Sequence, residues 1–475
     1  MFAHVFTHEL KLFRQNPSWW GSLLALAVLT VIAAWNGDAR TTARDARLAE
    51  LDTAAIQLRE SLAGQLRAYE QSAGGDLPAA ANAGALGFSI LSQPVSLPSL
   101  PLKPLALGQS DALPDHYPVT AHASYSFMNS TEIVNPNNLL AGTFDVAFVM
   151  VFVLPVFIIA LSFDLLSREK ERGLLALTLA HGVALPAYTL AKCAARTSIV
   201  MLVTVLVTLL AFLVGGVDFG VPGAAADAIS WLAMVLLYAL FWFAVGLFVN
   251  SLDRKSETNG ILMANTWLVA VVVLPALVNV VATVAFPAPS RVTLTTELRE
   301  AASEAEQNAA EAREAYFFDH PELTEGDAAP GAFFREVLAS EAAIESSIAP
   351  LLESFERQAG ERSRVVDTLK YLSPAILTQQ ALSGIAGTED QRYAAFRQQV
   401  RDYHSDYRAL FAARLLADQP MTSDALKRIP QFVIAEPADG KARVAATLLA
   451  LLSFSLVLVI AALRRYRHYP VLQAS

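Results

Sequence analysis

Long apolar runs alternate with polar stretches along this chain, and six of the runs are long enough to matter. Residues 19–35, 144–166, 198–215, 229–249, 259–286 and 444–463 each hold enough consecutive apolar residues to cross a bilayer as a helix, for which about 20 suffice. The first is short and carries Trp19 and Trp35 at its ends, where tryptophan favours the membrane–water boundary. A cleavable signal peptide is the alternative for that run. The amphipathic stretch ahead of it fits an uncleaved helix better. Pro155 interrupts the second run, a position tolerated where neighbouring helices satisfy the carbonyl it frees. Asp145 and Asp164 sit near the two ends of that run, where their charges are expected to reach water. The fifth run is long enough to tilt and holds Asn265, Pro275 and Asn279.

The remaining stretches carry helical periodicity of a different kind. Residues 1–18 predict an amphipathic helix with Phe2, Val5, Phe6, Leu10, Leu12 and Phe13 on one face and Thr7, Lys11 and Arg14 opposite, bent or ended by Pro17. Such a helix suits the plane of a membrane interface. Glu9 falls in the middle of its apolar face. It either snorkels or faces a polar neighbour, or it forms an ion pair with the basic residues of the loop 167–197. In the first large polar segment, 36–143, the seam Leu48, Leu51, Ala55, Leu58, Leu62, Leu66 and Tyr69 predicts a long helix from Asp38 to about Ser72, ended by Gly74-Gly75. Beyond it, a Pro-, Ser- and Gly-rich text predicts irregular or short-strand structure. In the second polar segment, 287–440, helices are expected over 293–315, 333–357 and 375–382. Thr388-Glu389-Asp390-Gln391 reads as a capping box opening a helix to about Leu416. Its aromatic stripe, Tyr393, Phe396, Tyr403, Tyr407 and Phe411, reads as core. The two polar segments are expected to pack as one domain, because each has seams that need a partner surface.

Composition narrows the class. The 475 residues are 54% hydrophobic and 17% charged, below the roughly 25% charged residues of soluble domains. The expectation is an all-α membrane protein of six transmembrane helices with a mainly helical extracytoplasmic domain. A net charge of −9 argues against nucleic acid as a partner. The lone cysteine, Cys193, forms no disulfide within the chain. His116, His122 and Met128 lack the tight spacing of a metal site, and no metal is expected. No phosphate-binding glycine loop of the G-x-x-x-x-G-K-[ST] type occurs, so the chain is not expected to be an enzyme or to hold a cofactor of its own.

Charge placement orients the runs. Lys11, Arg14, Arg168, Lys170, Arg172, Lys192, Arg196, Arg254, Lys255, Arg464, Arg465 and Arg467 fall on one side. The short loop on the other side, Val217 to Ala228, has Asp218 and Asp227 and no Lys or Arg. Basic residues in short loops mark the cytoplasm, so both termini, including the 464–475 tail, are expected inside and both polar segments outside. A bacterial inner membrane suits this arrangement.

One loop carries the most information. Residues 167–197 turn sharply charged at Arg168-Glu169-Lys170-Glu171-Arg172, reach Gly173, and resume as a short apolar helix, Leu174 to Leu179. Pro186 and Tyr188-Thr189-Leu190-Ala191-Lys192 follow. This order resembles the elbow between the second and third membrane helices of ABC-2 type permeases, the membrane subunits of a class of ABC transporters. The resemblance extends to Glu9-Leu10-Lys11, the six runs and the order of loops. The large outer segments resemble a bacterial branch of that family, as do Asn135-Pro136-Asn137-Asn138-Leu139, Gly142-Thr143-Phe144-Asp145, Tyr371-Leu372-Ser373-Pro374, Gln379-Gln380-Ala381-Leu382 and Ala386-Gly387-Thr388. A departure is Val183-Ala184-Leu185-Pro186, where relatives often carry Ser or Arg after the Val.

The resemblance implies a permease that couples ATP hydrolysis in separate ATPase subunits, which hold ATP and Mg, to export of a substrate. It further implies a second permease subunit, the same chain or a relative, and a lipid environment. The coupling residues would be Arg168, Glu169, Lys170, Glu171, Arg172, Gly173, Leu174 and Leu177, supported by Glu9. A second reading keeps the ATPase but drops the substrate, so that the membrane part transmits a conformational signal to a periplasmic partner. A receptor is disfavoured because the longest loop on the basic side is too short to fold alone.

Overall fold

The computed structural model describes residues 2–72, 77–108, 113–128, 144–180, 182, 184–287, 296–301, 303–304, 307 and 332–470. The Asn135–Leu139 and Gly142-Thr143 motifs, Gly74-Gly75, Val183 and most of the helix expected over 293–315 lie outside the described residues. Among the described residues six helices are long and apolar enough to span a membrane, so the chain is built as a multi-pass, all-α membrane protein. They are span 1, the lower part of Pro17–Gln71; span 2, Val146–Glu171; span 3, Leu185–Val214; span 4, Ala224–Asn250; span 5, Ser256–Ala285; and span 6, Gly440–Tyr466.

Span 4 is the axis of the bundle. Of its most apolar window 61% is buried, against 22% for span 5 and 17% for span 6, whose exposed Val and Leu side chains are suited to lipid. Trp231, Tyr238 and Trp242 of span 4 are fully buried among spans 2, 3 and 6.

The first run and the stalk beyond it are one helix of 55 residues rather than two elements, roughly 80 Å long at 1.5 Å per residue. Asn16 caps its start by accepting from the Ser18 amide, and Pro17 occupies the first turn, where its missing donor costs nothing. Gly37, at the junction, does not break the helix. It admits the backbone of Pro104, whose carbonyl oxygen would lie 1.8 Å from an added Cβ.

The stalk enters a second core. Leu62 and Leu66 pack there with Phe88, Tyr117, Phe396, Tyr407 and Phe411, so residues of both polar segments form one domain beside the bundle. Leu51 of the stalk seam faces outward. The aromatic stripe of Asp390–Leu416 lies in this core, and its hydroxyls are satisfied: Tyr407 donates to the Leu91 carbonyl at 3.0 Å and Tyr403 to that of Pro430 at 3.1 Å. The irregular stretch supplies a short antiparallel pair, Gln93–Ser96 with His116–Val119. Helix Ala332–Leu369 runs a dozen residues past its expected end.

Two expectations for this region need correction. Thr388 does not cap the next helix. Its hydroxyl donates to the buried Ala106 carbonyl at 2.9 Å, while Gln391 donates to Asp367, and Glu389 stands at the N-cap without a side-chain cap bond. The buried carbonyl wins because leaving it unpaired costs more than leaving a helix end to solvent. The helix opened by Pro374, Pro374–Ala386, is longer than expected and does not belong to the domain core. Ala375, Ala381, Leu382, Ile385 and Ala386 pack into the bundle core with spans 2 and 4, so this helix is a wedge between bundle and domain.

The prolines of spans 2 and 5 act alike. Each follows a wide i→i+5 stretch, Val149–Val153 before Pro155 and Leu268–Val273 before Pro275. A proline offers no donor and its ring crowds the carbonyl four residues back. Carbonyls four residues before Pro155 and five before Pro275 are taken by other elements: Tyr238 donates to Val151 at 3.0 Å, and Ser373, at the wedge helix N-cap, donates to Ala270 at 2.6 Å. Where water is absent, such partners replace the lost backbone bonds. Tyr238→Phe is therefore expected to destabilise the bundle by about 1 kcal/mol, and by less in a Pro155→Ala background. Thermal unfolding of the four members of this cycle in detergent measures the coupling. Equal costs in both backgrounds would contradict the pairing.

His404 gives the domain a pH dependence. It is 4% exposed, and its Nε2–H donates to the His122 carbonyl at 2.7 Å, while His122 itself contacts Glu341. Burial holds the imidazole below its ordinary value of 6.5, against the opposing hydrogen bond to His122. The unfolded chain therefore takes up the proton first. The stability contributed by the neutral ring is present above pH about 6.5 and is lost as pH falls through that value toward the folded-state pKa. The domain is expected to unfold at lower temperature at pH 5 than at pH 7. His404→Gln, which keeps a donor but does not titrate, should flatten that slope.

Candidate functional site

The elbow is built where span 2 stops. After Ser162 the chain turns, and Asn250 of span 4 closes the end: its amide donates to the Ser162 and Gly246 carbonyls, both at 2.9 Å, and its Oδ1 accepts from the Leu166 amide. A short helix, Ser167–Glu171, follows. Gly173 then takes the left-handed conformation at φ 71°, which glycine adopts without the Cβ strain of other residues. The second short helix, Leu174–Leu179, lies after this bend. Span 3 begins at Leu185, with Pro186 in its first turn, rather than at residue 198. The early start matters because Tyr188, Lys192 and Arg196 recur every four residues and share one face.

That face meets a buried cluster of charge. Arg196 donates from Nε to Glu9 at 2.7 Å and from Nη1 to Asp164 at 2.8 Å and to the Leu161 carbonyl at 2.7 Å. Its guanidinium stacks over the ring of Trp19, 5.0 Å from the centroid. Lys192 donates to Glu169 at 2.7 Å, and its Nζ lies 4.0 Å from Glu9. Tyr188 donates its hydroxyl to the other Glu169 oxygen at 2.8 Å. Arg168 pairs with the second oxygen of Asp164 at 2.7 Å. Three carboxylates (Glu9, Asp164 and Glu169) thus meet three cations (Arg168, Lys192 and Arg196). Glu9, Asp164, Lys192 and Arg196 are each about 5% exposed or less in their side chains or close to it.

Glu9 is therefore an ion-pair member, and its place in an apolar face follows from the buried cations it meets. Asp164 does not reach water as expected, and neither does Asp145, which is 1% exposed. Asp145 accepts from the Phe148 amide at 2.7 Å, capping span 2, and from the Leu107 amide at 2.9 Å. In both cases fixed donors replace solvent, which is the condition for burying a carboxylate.

The elbow residues divide by direction. Glu169 points inward into the cluster. Lys170 pairs with Asp253 in the turn between spans 4 and 5 and lies 4.9 Å from the Tyr469 ring centroid. Glu171 accepts from the Ser256 amide at 2.6 Å, at the N-terminus of span 5, where a negative charge is favourable. Leu175 is fully buried with Leu165, Leu166 and Tyr466, and Leu179 is half-buried beside them. Arg168, Arg172, Gly173, Leu174 and Leu177 remain on the surface, with Leu177 65% exposed. The four leucines thus do not act as one face. The elbow is tied to the start helix, to spans 2, 3, 4 and 5 and to the tail.

Sequence reasoning missed Asp164 and Asn250 as parts of this site and read Arg196 only as a loop charge, while Lys192 stood out in the elbow motif. The four-residue spacing of Tyr188, Lys192 and Arg196 is the signal that marks them.

Residues 291–435 match a family model described as a domain of unknown function, DUF3526. The match lies between spans 5 and 6 and covers the wedge helix and the aromatic helix, but not the elbow. Comparison of the chain with curated proteins finds no match.

Removing the central cation would take from buried Glu9 its close partner and from buried Asp164 one of two. Arg196→Ala is expected to destabilise the protein by about 3–5 kcal/mol. Arg196→Lys should fall between, because an ammonium cannot reproduce the forked contacts. Thermal unfolding and folded yield in detergent check both. Glu169→Lys, which sets a cation beside Lys192, should lower folded yield more than Glu171→Lys.

Proposed function

We propose that this chain is the membrane-spanning subunit of an ABC transporter of the ABC-2 type, driven by separate ATPase subunits that bind ATP and Mg. The observation that carries this reading is the elbow surface: Arg172, before the Gly173 bend, and Leu174 and Leu177, on the short helix after it, stand out from the bundle and are braced from behind by a charge-balanced, buried cluster. An exposed apolar and basic knob held this firmly suits a groove on a partner protein, and it lies at the end of the bundle that carries Lys11, Arg14, Arg254, Lys255 and Arg464. By the positive-inside rule that end is cytoplasmic, so both termini are cytoplasmic and the domain is outside, in the periplasm of a bacterial inner membrane. A second permease subunit, a copy or a relative, completes the path, since six helices enclose little space for a gate. The substrate is exported.

A second reading is favoured by the unbroken helix Pro17–Gln71, whose start lies beside the buried cluster and whose far end lies in the domain core. Such a rod can carry motion from an ATPase to a periplasmic partner without translocating anything. Flux of candidate substrates into reconstituted vesicles separates the two readings.

Copurification of the native complex from membranes is expected to recover an ATPase with this chain. Leu174→Asp combined with Leu177→Asp should weaken that association about tenfold or more, since it puts two charges into an apolar contact. The unfolding temperature should stay near wild type, because neither side chain is buried. Undiminished association and ATPase stimulation in the double variant would refute the elbow as the docking element.

A further inference from the structure

A cleft of about 950 Å³ opens where bundle, wedge helix and domain meet. That volume lies at the upper end of the range for ligand sites, roughly 300–1,000 Å³. Its lining is of two kinds. Phe152 of span 2, Val278 of span 5 and Val444 of span 6 supply an apolar floor, contributed by three membrane helices. A polar wall comes from helix Ala332–Leu369, the wedge helix, the start of Asp390–Leu416 and the first turn of span 6.

Much of the polar wall is already paired: Lys370 with Asp367 at 3.2 Å, and Arg443 with Glu389. Two charged groups have capacity left. Arg362 donates one hydrogen bond, to Asn279 Oδ1 at 3.0 Å, and has no ion pair among the described residues. A guanidinium has five N–H donors, so most of its capacity for an anion is open. Asp390 has no cationic partner among the described residues.

We propose that this cleft binds a zwitterionic phospholipid, its phosphate on Arg362, its ammonium toward Asp390, and an acyl chain along the apolar lining. The charge pattern selects this class. An anionic head such as that of phosphatidylglycerol would satisfy Arg362 but bring no cation to Asp390. A neutral apolar ligand would leave both groups without a counter-charge. Position agrees with chemistry, because the floor is made by the domain-facing ends of spans 2, 5 and 6, where a headgroup lies at the height of the polar wall. The site is formed by this chain alone, so binding requires no ATPase, and its failure would leave the proposed function standing.

The test uses the full chain reconstituted in mixed vesicles, with phosphatidylethanolamine and phosphatidylglycerol probes carrying the same photoreactive acyl chain. The ethanolamine probe should label peptides covering 355–380 and 440–447 about tenfold more than the glycerol probe, the worth of one charge-assisted contact. Ala359→Trp, which adds bulk at an exposed position on the cleft wall, should cut that labelling about tenfold while the unfolding temperature holds. Arg362→Ala provides an independent variant and should also reduce it. Labelling that is equal for the two probes, stronger for the glycerol probe, or unchanged in Ala359→Trp would overturn the proposal.

Discussion

The guanidinium of Arg196 is the point on which the elbow end of this protein depends. It is nearly inaccessible, and it is shared between a carboxylate of the start helix, a carboxylate at the end of span 2 and a backbone carbonyl of span 2. Burying a charge away from water is costly, and the cost is offset only when every oxygen and N–H in the neighbourhood finds a partner. That requirement dictates geometry. Glu9 brings the start helix onto span 3, Asp164 sets where span 2 turns, and Lys192 and Tyr188 hold Glu169 and thereby the first elbow helix. The charges balance as three against three, so the assembly tolerates desolvation as a unit while no member tolerates it alone.

The same rule governs the middle of the bundle, with backbone groups in place of charges. Pro155 and Pro275 each remove a donor from a helix that has no water to turn to. Tyr238 and Ser373 supply the replacements from span 4 and from the wedge helix. Each proline therefore creates a long-range contact. Through Ser373 the domain is pinned to span 5, and the helix that follows is drawn into the bundle core. The domain and the membrane part are joined in a second way by the unbroken Pro17–Gln71 helix, made possible at the junction by the missing side chain of Gly37.

These links also create the cleft. A wedge helix that packs against spans 2 and 4, and a long helix that leans on span 5, leave a space between them which neither fills. Its walls inherit apolar residues from the spans and charged residues from the domain, so an amphiphilic lining follows from where the two parts meet.

Six spans and the polar domain were legible in the amino-acid sequence, because each rests on local physics: the length of an apolar run and a three-to-four residue period. The aromatic stripe of Asp390–Leu416 was readable as core for the same reason. What only the tertiary structure decided is which polar group meets which. Glu9 was conspicuous in its apolar face, yet its partners lie 183 and 187 positions away at Lys192 and Arg196. Asp145 and Asp164 looked free to reach water because helix ends usually do, and Thr388 looked like a cap because its neighbours match a capping box. Each was claimed instead by a buried donor or acceptor brought from a distant part of the chain. The elbow's leucines likewise share a composition but not a fate, since Leu175 is buried and Leu177 exposed according to how one short helix is seated. A hydrogen bond or ion pair has its full consequence only where solvent is excluded, and exclusion is a property of the packed fold that no local pattern encodes.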